Sequence, residues 1–324
     1  MALGSGDLVT VGGPAAPVAP TGELIAARKI EGRSPWRLAM ERLRRDRAAM
    51  ISLGFILLTI LVAIFAPVIA KVIGHGVYQQ FRTTGLSPEG QPVGPNSTFL
   101  LGTDDQGRDI LVRIAYGTRV SLFVGVVATF LTVAVATIAG LAAGYFGKIV
   151  DTILARFMDV LLAIPFFLLA ISLVSISHPG LTVVIIVIAA LGWAAVARIV
   201  RGQVLTIREK EYIEAARAMG AGPWRIMIID ILPNVIAPII VYATLLIPLT
   251  IVTEASLSYL GVGIPPPTAD WGAMISDSQA YFNNGGWWFL VFPSAALLIT
   301  TLAFNIFGDG VRDAFDPRGD QLFV

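Results

Sequence analysis

The 324-residue sequence contains no cysteine, only two histidines and few charged side chains. The absence of cysteine excludes disulfide bonds and thiolate metal ligands. The two histidines, His75 and His178, are far apart in the chain, and neither a His-Glu-x-x-His nor a Gly-x-Ser-x-Gly pattern occurs. Zinc-dependent and serine-dependent hydrolysis therefore both lack their catalytic groups. We expect a chain that is not an enzyme and that has neither catalytic residues nor a metal site.

Long apolar runs dominate the rest of the composition. Hydrophobic residues make up 56% of the chain and charged residues 14%, which leaves too little polar surface to cover a soluble globule. A helix needs about 20 apolar residues to cross a hydrocarbon core of about 30 Å. Six windows reach that length, at about 48–70, 119–144, 154–176, 181–200, 234–259 and 287–308. They predict an all-α membrane protein with six transmembrane helices, although a five-helix interpretation stays open.

The 23 Lys and Arg side chains are unevenly distributed. In a multispanning protein, basic residues concentrate in the short loops on the cytoplasmic side. With the N-terminus inside, most of them fall in inner segments, namely 28–47, 148–156, 198–225 and 312–318. Both termini are therefore expected to be cytoplasmic. The first apolar run begins only near Ala48, behind a basic stretch, and is interpreted as a signal anchor.

The predicted spans divide the chain into regions. Residues 1–47 are expected to be a cytoplasmic tail, disordered over the Gly-, Ala- and Pro-rich residues 1–33. Ser34 and Pro35 then suit the N-cap and first position of an interfacial amphipathic helix. A nucleic-acid-binding patch is disfavoured beside a membrane anchor. The other regions are a first transmembrane helix at 48–70, an extracytoplasmic segment at 71–118, a five-helix core at 119–308 and a cytoplasmic tail at 309–324.

Three aspartates in the extracytoplasmic segment, Asp104, Asp105 and Asp109, invite a cation site. Their spacing does not match a calcium loop. Helix capping is the better interpretation, with Thr103 or Asp104 as N-cap of a helix. Its apolar positions follow at helical spacing, at Ile110, Leu111, Ile114 and Ala115. We therefore expect no metal here.

Glycine and proline within the predicted spans indicate how the helices pack and bend. Gly140 and Gly144 are four residues apart, which allows close helix contact in lipid. Pro165, Pro248 and Pro293 each remove one backbone hydrogen bond and permit a bend. Such bends suit a transporter, and static kinks are an equal alternative.

The segment 208–224 predicts a helix, a glycine stop and a second helix between two long spans. Gly220 occupies a position that favours a left-handed C-terminal cap, and Pro223 opens the next helix. The first helix has an apolar stripe at positions i, i+3, i+4 and i+7, formed by Tyr212, Ala215, Ala216 and Met219. Such a helix pair fits a groove on a soluble partner. The alternative is an amphipathic helix that rests on the membrane.

The same stretch resembles the EAA loop of ABC importer permeases, because Glu214-Ala215-Ala216, Gly220 and Ile231-Leu232-Pro233 follow one another at the family's spacing. In that family the loop is the coupling helix, seated in the ATP-binding subunit. The resemblance implies a coupling loop at about 201–233, with coupling residues Glu211, Glu214, Ala215, Ala216, Gly220 and Pro233. One departure is Asp230, where relatives often carry histidine.

Further stretches resemble the C-type permeases of dipeptide and oligopeptide importers, from residue 34 to nearly the end of the chain. They include Leu101-Gly102-Thr103-Asp104, the run from Glu254 to Gly261, and Gly308-Asp309-Gly310. The resemblance implies the type I ABC importer permease fold and a multi-pass protein of a prokaryotic inner or plasma membrane. It also implies a second, non-identical permease subunit, two ATP-binding subunits and an extracytoplasmic substrate-binding protein.

The chain itself is not expected to bind ATP. A phosphate-binding loop needs Gly-x-x-x-x-Gly-Lys-Ser/Thr. The one Gly-Lys pair, Gly147-Lys148, has Ala142 in place of the first glycine and Ile149 in place of the hydroxyl residue. ATP and Mg²⁺ would then be bound by the partner subunits, and this chain would carry no cofactor.

Two acidic residues lie in or near the predicted spans. A carboxylate at mid-bilayer costs about 2.5–3.5 kcal/mol, so a retained one usually faces a cavity or a partner. Glu254 lies late in the fifth span, and we hypothesise that it lines or gates the substrate path. The alternative is a carboxylate bonded to Ser256 or to a neighbouring helix. Asp159, three residues after Arg156, is expected to form a structural ion pair.

The substrate is expected to be a di- or oligopeptide. Because specificity in such importers resides largely in the external binding protein, a nickel chelate or an oligosaccharide is the alternative cargo for the same mechanism. An ion-coupled carrier would instead favour charges deep within several spans and broken half-helices. The predicted spans are nearly free of deep charges, which disfavours that class.

Overall fold

A computed structural model of the chain describes residues 35–316. The expected disorder of 1–33, the Ser34 N-cap and the last eight residues of the C-terminal tail lie outside this range. Within it the chain is helical, with eleven α-helices and one π-helical turn. The α-helices are α1 Pro35–Arg45, α2 Arg47–Ile73, α3 Ile110–Phe146, α4 Lys148–Ala163, α5 Phe166–Ile176, α6 Leu181–Arg208, α7 Glu211–Ala218, α8 Pro223–Arg225, α9 Leu232–Tyr259, α10 Trp271–Phe282 and α11 Trp287–Phe315. The π turn, Ile226–Ile231, joins α8 to α9.

Five helical segments among the described residues are long and apolar enough to cross a membrane: α2, α3, α6, the continuous segment from α8 through α9, and α11. The remaining predicted span, 154–176, which is the third in chain order, is broken. Its two halves, α4 and α5, meet at a bend of 90°. Ile164 has extended backbone angles there because the residue before a proline is driven out of the helical region. The expected bend at Pro165 is confirmed, whereas α9 and α11 continue through Pro248 and Pro293.

Several helices extend beyond the predicted spans, and in α3 and α11 the extension changes how a region of the chain is assigned. Helix α3 begins at Ile110, so the short helix expected in the outer segment and the second span are one helix. Its N-cap is Asp109, not Thr103 or Asp104, because the Asp109 carboxylate accepts hydrogen bonds from the N–H groups of Leu111 and Val112. Helix α11 continues to Phe315, past the position 309 where a tail was expected.

Helices α3 and α6 form the centre of the bundle. The side chains of Val200 and Val204 on α6 press against Gly140 and Gly144, where a Cβ atom would come within 2.7 Å of each valine. The close helix contact expected from this glycine pair is therefore present. Buried side chains of α3, α6 and α9 join the same apolar core, among them Ala136, Val200 and Val235.

Helix α1 lies against the C-terminal end of α11. Ala39 is buried, and the Trp36 ring meets the Phe315 ring edge-on at 5.1 Å. The Arg42 guanidinium donates a hydrogen bond of 2.9 Å to the carbonyl oxygen of Asp316. The start of α9 is close by, since Pro233 lines one groove together with Trp36 and Phe315. Helices α1, α7 and the start of α9 thus share one end of the bundle, called the loop end below. The opposite end, called the α10 end, contains segment 74–109, the C-terminus of α9 and α10.

Candidate functional site

Helix α7 at the loop end is a single exposed helix fixed by one buried side chain. Ile213 is completely buried and joins the α3–α6–α9 core, together with Ile226 and Ile231 of the π turn. The helix ends as predicted, with Gly220 at φ +86°, a left-handed value that favours glycine. The N–H of Ala221 then donates to the carbonyl oxygen of Ala216 at 3.0 Å, which satisfies a carbonyl that the helix leaves free.

The residues predicted to couple to the ATPase lie together on this helix and beside it. Glu211, Glu214, Ala215 and Gly220 are exposed, and Ala216 is half-buried. The carboxylates of Glu211 and Glu214 form no ion pair within residues 35–316. The predicted apolar stripe is mostly free as well, because the Tyr212 and Met219 side chains are 47% and 82% exposed. The side that packs against the bundle is centred on Ile213, which the stripe did not include, and the half-buried Ala216 is the one stripe member that packs beside it.

Pro233, the remaining predicted coupling residue, lies exposed just after the π turn. As proline it has no N–H to donate to the preceding turn. The side-chain amide of Asn234 donates to the carbonyl oxygen of Asp230 at 2.6 Å and so satisfies one of the carbonyls in this turn. Pro223 opens α8 after Gly222 as predicted. The exposed apolar surface of α7 continues over this turn through Trp224, Ile228 and Ile229.

Ion pairs form within α4 and between α4 and α6, and only one of them was predicted from the sequence. The expected pair of Arg156 with Asp159 is present at 3.6 Å, but Asp159 also binds Arg198 of α6 at 2.6 Å. Asp151 of α4 pairs with Arg201 of α6, with 2.7 Å between Oδ2 and Nη2. The Asp151–Arg201 pair joins residues 50 positions apart. No local spacing rule could have found it.

Glu254 lies inside the protein at the α10 end. Its side chain is completely buried and accepts hydrogen bonds of 3.2 Å from the hydroxyls of Ser258 and of Ser121 on α3. Ser256, the partner considered from the sequence, instead donates to the carbonyl oxygen of Val252. In this conformation Glu254 therefore bonds to its own helix and to a neighbouring helix, and it does not reach a surface of the subunit.

Asp270 is a second buried acid beside Glu254, and sequence reasoning did not single it out. It caps α10, with Oδ1 accepting from the N–H of Gly272 at 2.9 Å, while Oδ2 has no hydrogen-bond partner among the described residues. Burial raises the pKa of Asp270. The backbone is closely packed here, because a Cβ on Gly272 would collide with the carbonyl oxygen of Ala255. An N-cap aspartate after Pro267 was the available sequence signal.

The three aspartates that invited a cation site have separate roles. Asp104 binds Arg108 at 2.6 Å and Arg113 at 3.1 Å. Asp109 caps α3 and lies 2.6 Å from Nδ1 of His75. Asp105 is a weaker partner of Arg108, at 3.4 Å. Within residues 35–316 no group of three or more His, Cys, Asp or Glu side chains is placed to hold a metal ion.

Known protein families match the chain over two ranges. Residues 136–320 match the family described as binding-protein-dependent transport system inner membrane component. Residues 34–88 match the N-terminal transmembrane domain of oligopeptide transport permease C. The first match contains α7, the π turn, Glu254 and Asp270, so both ends of α9 fall within it.

Individual relatives agree over almost the whole chain. The oligopeptide transport system permease protein OppC of Bacillus subtilis is 41% identical over 308 residues, which cover 94% of this chain and 96% of that one. The dipeptide transport system permease protein DppC of Haemophilus influenzae is 41% identical over 86% of this chain and 93% of its own length. The di/tripeptide transport system permease protein DppC of Pseudomonas aeruginosa is 37% identical, over 88% and 93%.

A solved structure has the same fold over much of the chain. The inward-facing MetNI methionine ABC transporter matches with a TM-score of 0.51 at 21% identity, over 62% of this chain and 96% of the matched chain. At that identity the likeness shows the fold alone. Together with the helical architecture, the family matches and the relatives show that this chain belongs to the inner-membrane permease components of binding-protein-dependent ABC transport systems, in the dipeptide and oligopeptide permease family.

Proposed function

We propose that this chain is one of two permease subunits of an ATP-driven importer of di- or oligopeptides, and that α7 with the following turn docks onto an ATP-binding subunit. The observation that carries the coupling role is the exposure of α7, which is fixed through Ile213 and leaves its other faces free. Exposed apolar side chains beside free carboxylates are typical of a surface that a protein partner covers. The peptide substrate is supported by the names of the relatives.

The loop end is proposed to face the cytoplasm together with both chain termini. Helix α1, the end of α11 and α7 lie at this end, and they bring many of the basic residues of the chain with them. Basic residues beside short loops favour the cytoplasmic side. The α10 end would then face the outside, where the substrate-binding protein delivers its cargo.

The proposed complex contains a second, non-identical permease subunit, two ATP-binding subunits and the external binding protein. ATP and Mg²⁺ would be held by the ATP-binding subunits, and this chain would bind no cofactor. Closure of those subunits would displace α7. Because Ile213, Ile226 and Ile231 share one core with α6 and α9, that displacement would be transmitted to the spans.

Glu254 is proposed to act as a gate from inside the subunit. Its bond to Ser121 joins α9 to α3, so any separation of these two helices near the α10 end must break it. This role differs from direct contact with the substrate, which the burial of Glu254 disfavours in this conformation.

The test of coupling is the charge reversal Glu214→Lys in the complete transporter, purified with its co-encoded partners and reconstituted into proteoliposomes. We expect ATP hydrolysis that no longer responds to the loaded binding protein, together with a loss of uptake. Glu89→Lys is the matched control, since Glu89 is equally exposed but lies in segment 74–109 at the other end of the bundle. Normal coupled transport by Glu214→Lys would contradict the proposal.

The substrate is tested separately, by mass spectrometry of the ligand that co-purifies with the binding protein. Peptides support the proposal in full. A nickel chelate or an oligosaccharide would keep the coupling mechanism and overturn the peptide assignment. An ion-coupled carrier, for which the family matches give no support, would require uptake without any ATP-binding subunit.

A further inference from the structure

Glu254 and Asp270 form a buried acid pair at the α10 end. Both side chains are completely buried, and Gly272, two residues after Asp270, packs directly against the backbone of Ala255, the neighbour of Glu254. This packing brings the two carboxyl groups next to each other. None of the ion pairs formed within residues 35–316 includes either of them. Two ionised carboxylates in contact, away from water and without a basic partner, are strongly unfavourable. The pair therefore needs a positive charge from another source.

The hydrogen bonds around the pair show where that charge fits. Glu254 already accepts from Ser121 and Ser258, and Oδ1 of Asp270 accepts from the N–H of Gly272. Oδ2 of Asp270 accepts no hydrogen bond among the described residues, because the nearby Ser258 hydroxyl has a single hydrogen and donates it to Glu254. A buried acceptor without a donor is costly. A proton between this oxygen and Glu254 would supply the missing hydrogen bond and would also neutralise one of the two negative charges.

We propose that Glu254 and Asp270 form a proton-binding site, in which the two carboxyl groups share one proton and the resulting hydrogen bond fastens α9 to the N-terminus of α10. Glu254 also accepts a hydrogen bond from the Ser121 hydroxyl, which connects the pair to α3. One proton thus holds three elements together at the α10 end. This inference concerns the folded subunit and does not depend on the identity of the substrate or of the ATPase.

Other charged groups do not replace this proton. Arg113 on α3 is already paired with Asp104, and Arg119 lies over the Tyr116 ring. Segment 260–269, α5 and the α11 residues before Asp309 contain no titratable side chain, and α6 has none before Arg198. The other titratable groups on or next to these elements are Tyr259, Asp277, Tyr281 and His178, together with Tyr145 of α3 and Tyr242 of α9, which are each at least 12 positions away in sequence from Glu254 and Asp270. None of these is a cation that contacts either carboxyl group.

A shared proton makes the contact sensitive to pH. Because the pKa of Asp270 is raised, the folded protein binds more protons than the unfolded chain between the ordinary carboxyl range and that raised value. Stability should therefore fall as the pH rises through this window. An amide in place of either carboxyl can donate the same hydrogen bond without a titratable proton. Single amide variants should then be less sensitive to pH.

The direct test is infrared difference spectroscopy of the complete transporter, which detects the C=O stretch of a protonated carboxylic acid. We expect such a band in the unmodified protein at neutral pH and its loss in both Glu254→Gln and Asp270→Asn. Asp105→Asn and Asp277→Asn identify any contribution from the two other described carboxyl groups whose pKa burial raises. Persistence of the full band in both pair variants would overturn the proposal.

A second measurement keeps the test decisive if a pair variant fails to assemble. The unmodified transporter is titrated toward alkaline pH, with the infrared band and the thermal midpoint followed together. We expect the band to disappear and the midpoint to fall over the same pH range. A neutral-pH spectrum in which the Asp105→Asn and Asp277→Asn variants account for the whole protonated-carboxyl band, or in which there is no such band, would contradict the proposal, because both members of the pair would then be ionised.

Discussion

The two ends of α9 differ in whether the acidic side chains near them are exposed or buried. At its start, the segment from α7 to the π turn exposes large apolar side chains, including Met219, Trp224 and Ile229, and it leaves the Glu211 and Glu214 carboxylates unpaired within the described residues. At its other end, Glu254 and Asp270 are hidden, and serine hydroxyls and a backbone N–H surround them. The loop end thus leaves apolar and acidic side chains uncovered within the described residues. At the α10 end, by contrast, the acidic side chains are buried and most of their hydrogen bonds are formed within the same chain.

This difference indicates which contacts depend on other subunits. Polar groups sealed inside one subunit fix the relative positions of its own helices, and their loss should reduce stability. Exposed apolar and acidic groups contribute little to that stability and gain their role when a partner covers them. Mutations at the α10 end should therefore affect folding first, and mutations on the free face of α7 should affect coupling first.

The largest effect is expected from Asp104→Asn. The Asp104 carboxylate is buried between the guanidinium groups of Arg108 and Arg113. Its loss leaves two buried cations without their main partner, which costs about 3–5 kcal/mol for a buried ion pair. The thermal midpoint of the purified transporter measures this. Asp159→Asn is the control at the loop end, where the ion pair is about half exposed and should contribute only about 0–1 kcal/mol. Equal destabilisation by the two variants would remove the distinction between the ends.

Ile213→Ala tests how α7 is held. Truncation of a completely buried isoleucine leaves a cavity and costs about 2–5 kcal/mol. We expect faster amide hydrogen exchange in α7 together with weaker coupling of ATP hydrolysis to uptake. Met219→Ala is the matched variant on the same helix, since Met219 is 82% exposed. It should leave exchange in α7 of the isolated subunit unchanged, and fast exchange in both variants would argue against Ile213 as the anchor.

Gly272→Ala should give a smaller loss of stability at the α10 end. The added methyl group would collide with the backbone of Ala255 and push α10 away from α9. Overpacking of this kind costs about 1–3 kcal/mol. Gly202→Ala on α6 is the control, because a Cβ there meets no atom within 4 Å. A thermal midpoint that both variants leave unchanged would show that the α9–α10 contact tolerates expansion.

Local patterns in the sequence predicted much of the helical architecture. Apolar run length found the long spans, and Pro165 indicated the bend between α4 and α5, although Pro248 and Pro293 gave the same signal within helices that continue. The four-residue spacing of Gly140 and Gly144 indicated their packing against another helix, and Gly220 indicated the end of α7. Each of these features depends on residues close in sequence, which is why a single chain reveals them.

Tertiary contacts explain what the sequence could not predict. The N-cap of α3 is Asp109 and not the predicted Thr103 or Asp104. The Asp104 carboxylate is instead bound by two arginines. Burial of Ile213 rather than of Tyr212 or Met219 depends on the position of the α3–α6 core. The proximity of Glu254 to Asp270 arises because α10 packs against the end of α9, and a pattern of residues close in sequence cannot predict such a contact.

Site-specific crosslinking tests the central claim most directly. Because the chain contains no cysteine, Met219→Cys introduces its only thiol on the free face of α7. Leu100→Cys, an exposed position in segment 74–109, is the control. We predict that a short bifunctional crosslinker joins the Met219→Cys chain to an ATP-binding subunit and that the Leu100→Cys chain forms no such product. Absence of this product from Met219→Cys in an assembled, active transporter would contradict the assignment of α7 as the coupling helix.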